Sequence, residues 1–301
     1  MIRPPSLKAG DQIRIISTAR KIERTQVEAA AAILESWGLK VEFGEHLFAE
    51  HHQMAGNIQE RREDLQMALN DRKIKAIFCA RGGYGTGQIV DDLDFTDFMR
   101  RPKWIVGYSD ITVLHNQLAQ LGVASLHATM PVNMADNGNE ALESLRQALF
   151  GEAYEIKAPA HPFNRAGHAP LPLTGGNASI IYGLCGSPLA LSVRGKNLFL
   201  EEIDEYLYHL DRMFYNFKRN GYFDECQGMI IGGMTDMNDH EIPFGESAEE
   251  IIRRHCEPYR FPVAYNFPAG HLKDNRALIF GLTADLRVDE NGSSLKFPSG
   301  G

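Results

Sequence analysis

Long apolar runs are missing from this sequence. No stretch approaches the ~18 consecutive apolar residues of a membrane span, so no membrane-embedded helix is expected. Runs of Lys and Arg are missing too. With 31 basic against 39 acidic residues and a formal net charge of -8, sequence-independent binding to nucleic acid is not expected, because that depends on clustered cations. Cysteine is scarce: Cys79, Cys185, Cys226 and Cys256 are far apart and form no C-x-x-C pair. This argues against a disulfide scaffold and for reduced thiols, the state of cytoplasmic proteins. The first residues, "MIRPPSLKAGDQIRIIS", carry no apolar core or small-residue cleavage site, and no signal peptide is expected. H-x-x-x-H with a glutamate is absent, "HLFAEHH" (His46 to His52) fits no established ligand spacing, and no metal is expected.

What remains is an ordinary globular composition, 44% hydrophobic and 23% charged over 301 residues, enough for two domains. The first half alternates strand and helix patterns. "DQIRIIST", "LKVEFGE", "IKAIFCA", "KWIVG" and "VASLHA" read as strands. "RTQVEAAAAILESWG", with Val27, Ala30, Leu34 and Trp37 at helical spacing, and "NIQERREDLQMALND" read as helices, and "GTGQIVDDLDF" as the start of another. This rhythm predicts a parallel sheet covered on both faces, with ligands at the carboxyl ends of its strands. Residues 1–150 are assigned to this domain. The proline-rich stretch 151–172 reads as a linker. Residues 173–301 read as a smaller, strand-rich α/β domain, with "NLFLEEI", "GMIIGGM", "PVAYNF", "RALIFGL" and "SSLKF" as strands and "YLYHLDRMFYNFKRN" and "SAEEIIRRHC" as helices.

Four places could carry chemistry. Ser109 stands in Gly-Tyr-Ser-Asp, on the corner between a strand and a helix. It fits an N-cap, for which serine is well suited. It also fits a nucleophile, because a helix start presents unpaired N–H groups to a developing oxyanion. The hydrolase elbow G-x-S-x-G is half present: Gly107 is there, but Ile111 replaces the second glycine. "ARGGYGTG" (80–87) follows a buried strand and fits a tight turn, an oxyanion loop or a phosphate cradle. Its G-x-G-x-G spacing and the lack of a Walker lysine weaken the last of these. "LFLEEIDEY" ends a strand in Glu201 and Glu202, which alternate in direction, so that Glu201 shares a face with Phe199. His271 sits in the Pro-Ala-Gly-His loop and suits a general base. Ser, Glu, His is also the chain order of α/β-hydrolases.

Together, "CARGGYGTGQIVDDLDF", "WIVGYSDITVLHNQL", "TGGNASII", "LFLEEIDEYLYHLDRMF" and "FPAGHLKDNRALIFG" resemble the LD-carboxypeptidase family of serine peptidases, over residues 8 to 297. That family includes murein tetrapeptide carboxypeptidases and microcin C immunity peptidases. The resemblance implies a flavodoxin-like N-terminal domain, a C-terminal domain with a small mixed sheet, an active site between them, no metal or organic cofactor, and a homodimer. It implies Ser109 as nucleophile, Glu201 and His271 completing a triad, and the backbone N–H groups of Asp110 and Gly83 as oxyanion donors. Arg81, beside the glycine loop, is a candidate partner for the substrate carboxylate, and by resemblance Asn177 lines the cleft; each equally fits a purely structural role. "LHATMP" (126–131) departs from the family's His-Gly-Pro-Met.

The expected reaction is removal of the terminal D-Ala from a murein tetrapeptide in peptidoglycan recycling. A relative with the same triad would cleave peptidyl nucleotides instead. That reading calls for an aromatic clamp, and the two tryptophans, Trp37 and Trp104, both lie in or beside core elements. A non-catalytic muropeptide-binding module is the third reading, and it has no need of a triad.

Overall fold

The computed structural model describes residues 1–300. It divides into two compact units: Met1–Ala153 with Lys273–Gly281 and the chain end from Ser299, and Tyr154–Leu272 with Leu282–Pro298.

The first unit is built on strands β1 (Gln12–Ile16), β2 (Lys40–Phe43), β3 (Ile74–Cys79), β4 (Trp104–Gly107) and β5 (Ser125–His127), joined late in the chain by β11 (Leu278–Phe280). Their order is β11-β5-β4-β3-β1-β2; all pairs are parallel except β11 with β5. The β2-β1-β3-β4-β5 run is the flavodoxin-like doubly wound order. Every residue of β4 is buried, as a sheet covered on both faces requires. The helices are α1 (Arg24–Ser36), α2 (Ile58–Asn70), α3 (Thr96–Arg100), α4 (Thr112–Gln120) and α5 (Asn139–Phe150). Val27, Ala30, Ala31 and Leu34 form the buried stripe of α1. Asn57 starts α2 by accepting from the Glu60 amide at 3.0 Å, and the Asn57 amide in turn donates to the Glu60 carboxylate at 2.7 Å.

The second unit holds a mixed sheet of β6 (Tyr154–Pro159), β7 (Gly167–Asn177), β8 (Asn197–Ile203), β9 (Gly228–Thr235), β10 (Val263–Ala264), β12 (Thr283–Asp289) and β13 (Gly292–Phe297). Its order is β10-β9-β8-β7-β12-β13-β6. The β10-β9-β8-β7 part is parallel and the rest antiparallel. Helices α6 (Ala178–Leu184), α7 (Leu207–Arg219), α8 (Tyr222–Glu225) and α9 (Ala248–Cys256) accompany it. Leu210, Met213, Phe214 and Phe217 recur at helical spacing on α7 and join Ile252, Met229 and Ile231 in one core cluster. Each such fully buried side chain stabilises the fold by roughly 1.5–3 kcal/mol relative to exposure.

Three expectations need correction. The stretch 151–172 is not a free linker: β6 and the first half of β7 occupy it. Over Pro170 and Pro172 the described ladder partner of β7 is β12 alone, since pairing with β8 begins at Leu173. A strand free on one side tolerates the missing proline N–H. "RALIFGL" does not stay with the second unit; it returns as β11 to the first sheet. "GTGQIVDDLDF" forms two 3-10 turns, Thr86–Gln88 and Val90–Asp92, rather than a helix. Gly85 and Gly87 oppose helix formation, and the Thr86 amide is already engaged by Asp110 at 2.9 Å.

Gly175 shows how tightly β7 is drawn against β8. A Cβ there would lie 1.9 Å from the Phe199 carbonyl oxygen, and its φ is +142°. Gly175→Ala is therefore expected to cost roughly 2–4 kcal/mol, from strain and overpacking. Chemical denaturation would check this as a lowered midpoint.

Candidate active site

In the first unit, β4 runs into an abrupt corner. Gly107 permits it, because a Cβ there would strike Ile111 Cγ1 at 2.8 Å. Tyr108 is extended, and Ser109 then adopts φ +64° before the 3-10 turn Ser109–Ile111 leads into α4. Serine rarely pays the cost of the left-handed region without a structural demand. The capping alternative is not supported: no side-chain cap hydrogen bond is present at the start of the 3-10 turn or of α4. Ser109 is half-buried at the carboxyl end of the sheet.

The corner is braced from below. His115 on α4 lies against the Gly107 carbonyl through Nε2 at 2.9 Å and against the Ser125 hydroxyl through Nδ1 at 2.8 Å. A carbonyl only accepts, so Nε2 carries the proton and Nδ1 accepts from Ser125. Burial pushes this imidazole down to about 4, which keeps it neutral. Asn133 Nδ2 donates to the Tyr108 hydroxyl at 3.0 Å.

The glycine loop lies directly over the serine. A Cβ on Gly82 would sit 3.1 Å from Ser109 Cβ, 3.2 Å from its Oγ and 3.4 Å from the Asp110 amide nitrogen. Gly83, at φ +105°, is exposed and is backed by the Arg20 side chain. Arg81 is half-buried and donates to the Lys21 carbonyl at 3.1 Å. Beside this loop is a cavity of about 590 Å³ whose lining includes His51, His52, Met54, Ile58 and Tyr84. No group of three or more His, Cys, Asp or Glu side chains placed to hold a metal ion occurs among the described residues.

In the second unit, Glu201 is wholly buried near the end of β8. Its Oε2 accepts from Nδ1 of His271 at 2.6 Å and from the His271 amide at 3.2 Å. An ionised carboxylate only accepts, so the Nδ1 proton is fixed and Nε2 is left as the basic nitrogen. Glu201 Oε1 is buried with no hydrogen-bond partner among the described residues. Burial lowers the basicity of His271, but the charge and hydrogen bond of Glu201, with the charge of Glu202, outweigh it and leave the imidazole above its ordinary value.

Glycine makes this contact possible. A Cβ on Gly270, at φ +103°, would lie 2.7 Å from Glu201 Cβ and 2.8 Å from Oε2. The register between β8 and β9 shifts between Leu200 and Glu202, opposite Gly232 and Gly233. There the Gly233 amide donates to the Ala269 carbonyl at 3.0 Å, and the Thr235 hydroxyl donates to the His271 carbonyl at 2.9 Å. Bulges of this kind re-aim side chains beside active sites.

Glu202 is buried as well, because both faces of β8 are covered. It accepts from Asn177 Nδ2 at 2.8 Å, the Ser179 amide at 2.7 Å and the Ile203 amide at 2.9 Å. Burial and the charge of Glu201 nevertheless push it up to about 7. Asn177 also caps α6 by accepting from the Ile180 amide. The sequence reading missed an exposed ring cluster just past β8. Tyr206 stacks on His240 with centroids 4.6 Å apart, and Tyr208 stacks on the same ring at 5.4 Å. Histidine completes the cluster, which a search for tryptophan could not reveal.

A strained serine under a glycine loop, and a histidine oriented by a buried glutamate, are the parts of a serine hydrolase. Residues 13–128 match the LD-carboxypeptidase N-terminal domain and residues 172–286 the LD-carboxypeptidase C-terminal domain. The chain belongs to the LD-carboxypeptidase family and is a serine-type peptidase of that class. It is 30% identical to a probable murein peptide carboxypeptidase of Bacillus subtilis strain 168, over 96% of this chain and 92% of that protein. It is 28% identical to the murein tetrapeptide carboxypeptidase of Pseudomonas aeruginosa, over 91% and 92%. The fold is shared with a muramoyltetrapeptide carboxypeptidase from Oxalobacter formigenes (TM-score 0.87, 24% identity, covering 96% of this chain and 99% of that one). It is also shared with the microcin C7 self-immunity protein MccF in complex with aspartyl sulfamoyl adenosine (TM-score 0.86, 20% identity, 99% of each chain).

Gly270→Ala tests the second-unit pair without replacing a polar side chain. The added methyl is expected to displace His271 from Glu201 and, for a histidine acting as the base, to lower kcat by on the order of 100-fold, the cost of misplacing such a group. Steady-state peptidase assays, with melting curves as a control, would check this.

Proposed function

We propose that this enzyme removes the terminal D-Ala from murein tetrapeptides at the L,D bond, with Ser109, His271 and Glu201 as its triad. The observation that carries the reading is the 2.6 Å hydrogen bond from His271 Nδ1 to the buried Glu201, which leaves Nε2 to serve as a base. The positive φ of Ser109 supports the nucleophile. Ser109 Oγ attacks the carbonyl carbon of the third residue and passes its proton to His271 Nε2. The Asp110 and Gly83 N–H groups hold the oxyanion, each contributing roughly 3–4 kcal/mol. The C–N bond breaks, and His271 returns the proton to the departing D-Ala amine. Water, deprotonated by His271, then cleaves the ester and frees the tripeptide. Glu201 keeps the tautomer and stabilises the imidazolium.

Arg81 is proposed to meet the D-Ala carboxylate, and Asn177 to face substrate while Glu202 and the α6 amide hold it. The setting proposed is peptidoglycan recycling in the cytoplasm, by a homodimer. The four free cysteines suit a reducing compartment. Burial pushes the Cys79, Cys226 and Cys256 thiols up to about 12, so they stay protonated. No helix among the described residues is long and apolar enough to cross a membrane. Family membership sets aside a non-catalytic binding module.

A second reading, cleavage of a peptidyl nucleotide, is favoured by the Tyr206–Tyr208–His240 cluster, whose rings suit a base. Mass spectrometry of L-Ala-γ-D-Glu-diaminopimelate-D-Ala with wild type and Ser109→Ala separates the readings. Loss of one D-Ala with wild type alone supports the first. Loss with both proteins would refute the nucleophile. Loss with neither, but cleavage of a peptidyl adenylate, would favour the second.

The pH dependence has a definite sign. His271 must be neutral to accept the serine proton, and its value is raised. The acid limb of kcat/KM is therefore expected above the ordinary imidazole value of ~6.5. Glu201→Gln removes the charge that raises it. A pH–rate profile of that variant should show the limb moved to lower pH and a plateau reduced by up to about 10,000-fold.

A further inference from the structure

Arg61 belongs to no motif of the reaction, yet it is 2% exposed and lies beneath the glycine loop. Its Nη1 donates to the Gly85 carbonyl and to the Thr18 carbonyl, both at 3.0 Å, and its Nη2 donates to Gln88 Oε1 at 2.7 Å. Asp110, the residue after the nucleophile, is also 2% exposed. Its Oδ2 accepts from the Thr86 amide at 2.9 Å. The Gly85 carbonyl and the Thr86 N–H are the two ends of one peptide group. That group is thus held at its oxygen by a buried cation and at its N–H by a buried anion, in the sense of its own dipole. The Thr18 and Thr86 hydroxyls meet at 2.9 Å on the same unit. Only glycine allows the approach, since a Cβ on Gly85 would lie 2.5 Å from Arg61 Nη1 and 2.9 Å from Ala19 Cα.

We infer that Arg61 and the Asp110 side chain are positioning residues, a charge clamp on the Gly85–Thr86 peptide that fixes the glycine loop over Ser109. The inference rests on the proposed role of Ser109 and of the Gly83 and Asp110 amides. One carboxylate-bearing residue supplies a proposed oxyanion amide and, through its side chain, anchors the loop that supplies the other. The clamp therefore sets the spacing between the two donors. Burying two charges for packing alone is a poor bargain, because apolar replacements of similar volume are often neutral or stabilising. Burial also opposes both charged forms, raising Asp110 and lowering Arg61, while their mutual attraction counters this.

The test uses the full chain as wild type, Arg61→Lys, Arg61→Met and Asp110→Asn. Two rates are measured: D-Ala release from the tetrapeptide, and phosphonylation of Ser109 by a fluorophosphonate, which needs the oxyanion donors but no particular peptide. For Arg61→Met, kcat and the phosphonylation rate should each fall on the order of 100-fold, the effect of losing one donor. KM should stay within about threefold, since ground-state binding is untouched. Arg61→Lys keeps the charge without the fork and should recover part of the loss. Amide hydrogen exchange over 82–88 should quicken in both Arg61 variants while melting stays cooperative. Phosphonylation at the wild-type rate, a rise in KM with kcat unchanged, or losses that only track the unfolded fraction would overturn the clamp. Should wild type be phosphonylated but release no D-Ala, the murein reading fails and the phosphonylation rates alone decide. Should Ser109 of wild type resist phosphonylation, the inference falls with the nucleophile.

Discussion

The hydrogen bond between His271 Nδ1 and the buried Glu201 carboxylate is the contact that several backbone features of the second unit accommodate. A wholly buried carboxylate is costly unless it is paired. Here the partner comes from a loop seventy residues away in sequence, so several backbone features serve that one approach. Gly270 has no side chain because Glu201 occupies its space. Gly232 and Gly233 let β9 break register opposite Glu201 and receive Ala269. Thr235 holds the His271 carbonyl. The outcome is a single neutral tautomer, with the proton held on Nδ1.

The first unit follows the same logic with a different strain. Ser109 is held in the left-handed region by Gly107, by His115 beneath the corner, and by a glycine loop packed closely enough that a Cβ on Gly82 would lie 3.2 Å from the hydroxyl. Strain of this kind persists where the surroundings over-determine it. Glycine thus acts in both units as the residue that lets backbone approach a candidate site side chain, Ser109 in one and Glu201 in the other, rather than as a flexible joint.

Much of this was legible in the sequence, and the legible parts share a cause. Strand and helix periodicity exposed the doubly wound first sheet, because β4 is apolar throughout, β3 is apolar but for Lys75, and α1 carries a clear apolar stripe. The candidate site residues were legible because sharp turns demand glycine, and glycine clusters beside Ser, Glu and His are conspicuous. Side-chain alternation gave Glu201 an inner face, but it did not foresee that Glu202 is buried too, since that depends on α6 covering the other face. β6 and β7 were hidden by prolines, which are tolerated here because part of β7 has a ladder partner on one side. The return of β11 to the first sheet was invisible, since strand pairing over such separations leaves no local pattern. Arg61 was unreadable for a similar reason: an arginine on an amphipathic, charged helix looks solvated until the loop it holds is seen.

The most direct test of the central contact is the titration of His271 itself, followed by its imidazole nitrogen and carbon resonances in wild type and in Glu201→Gln. The contact described here predicts an imidazole above its ordinary ~6.5 in wild type, protonated at Nδ1 when neutral, and a clear fall in Glu201→Gln. A wild-type value at or below ~6.5 that does not change in the variant would contradict it.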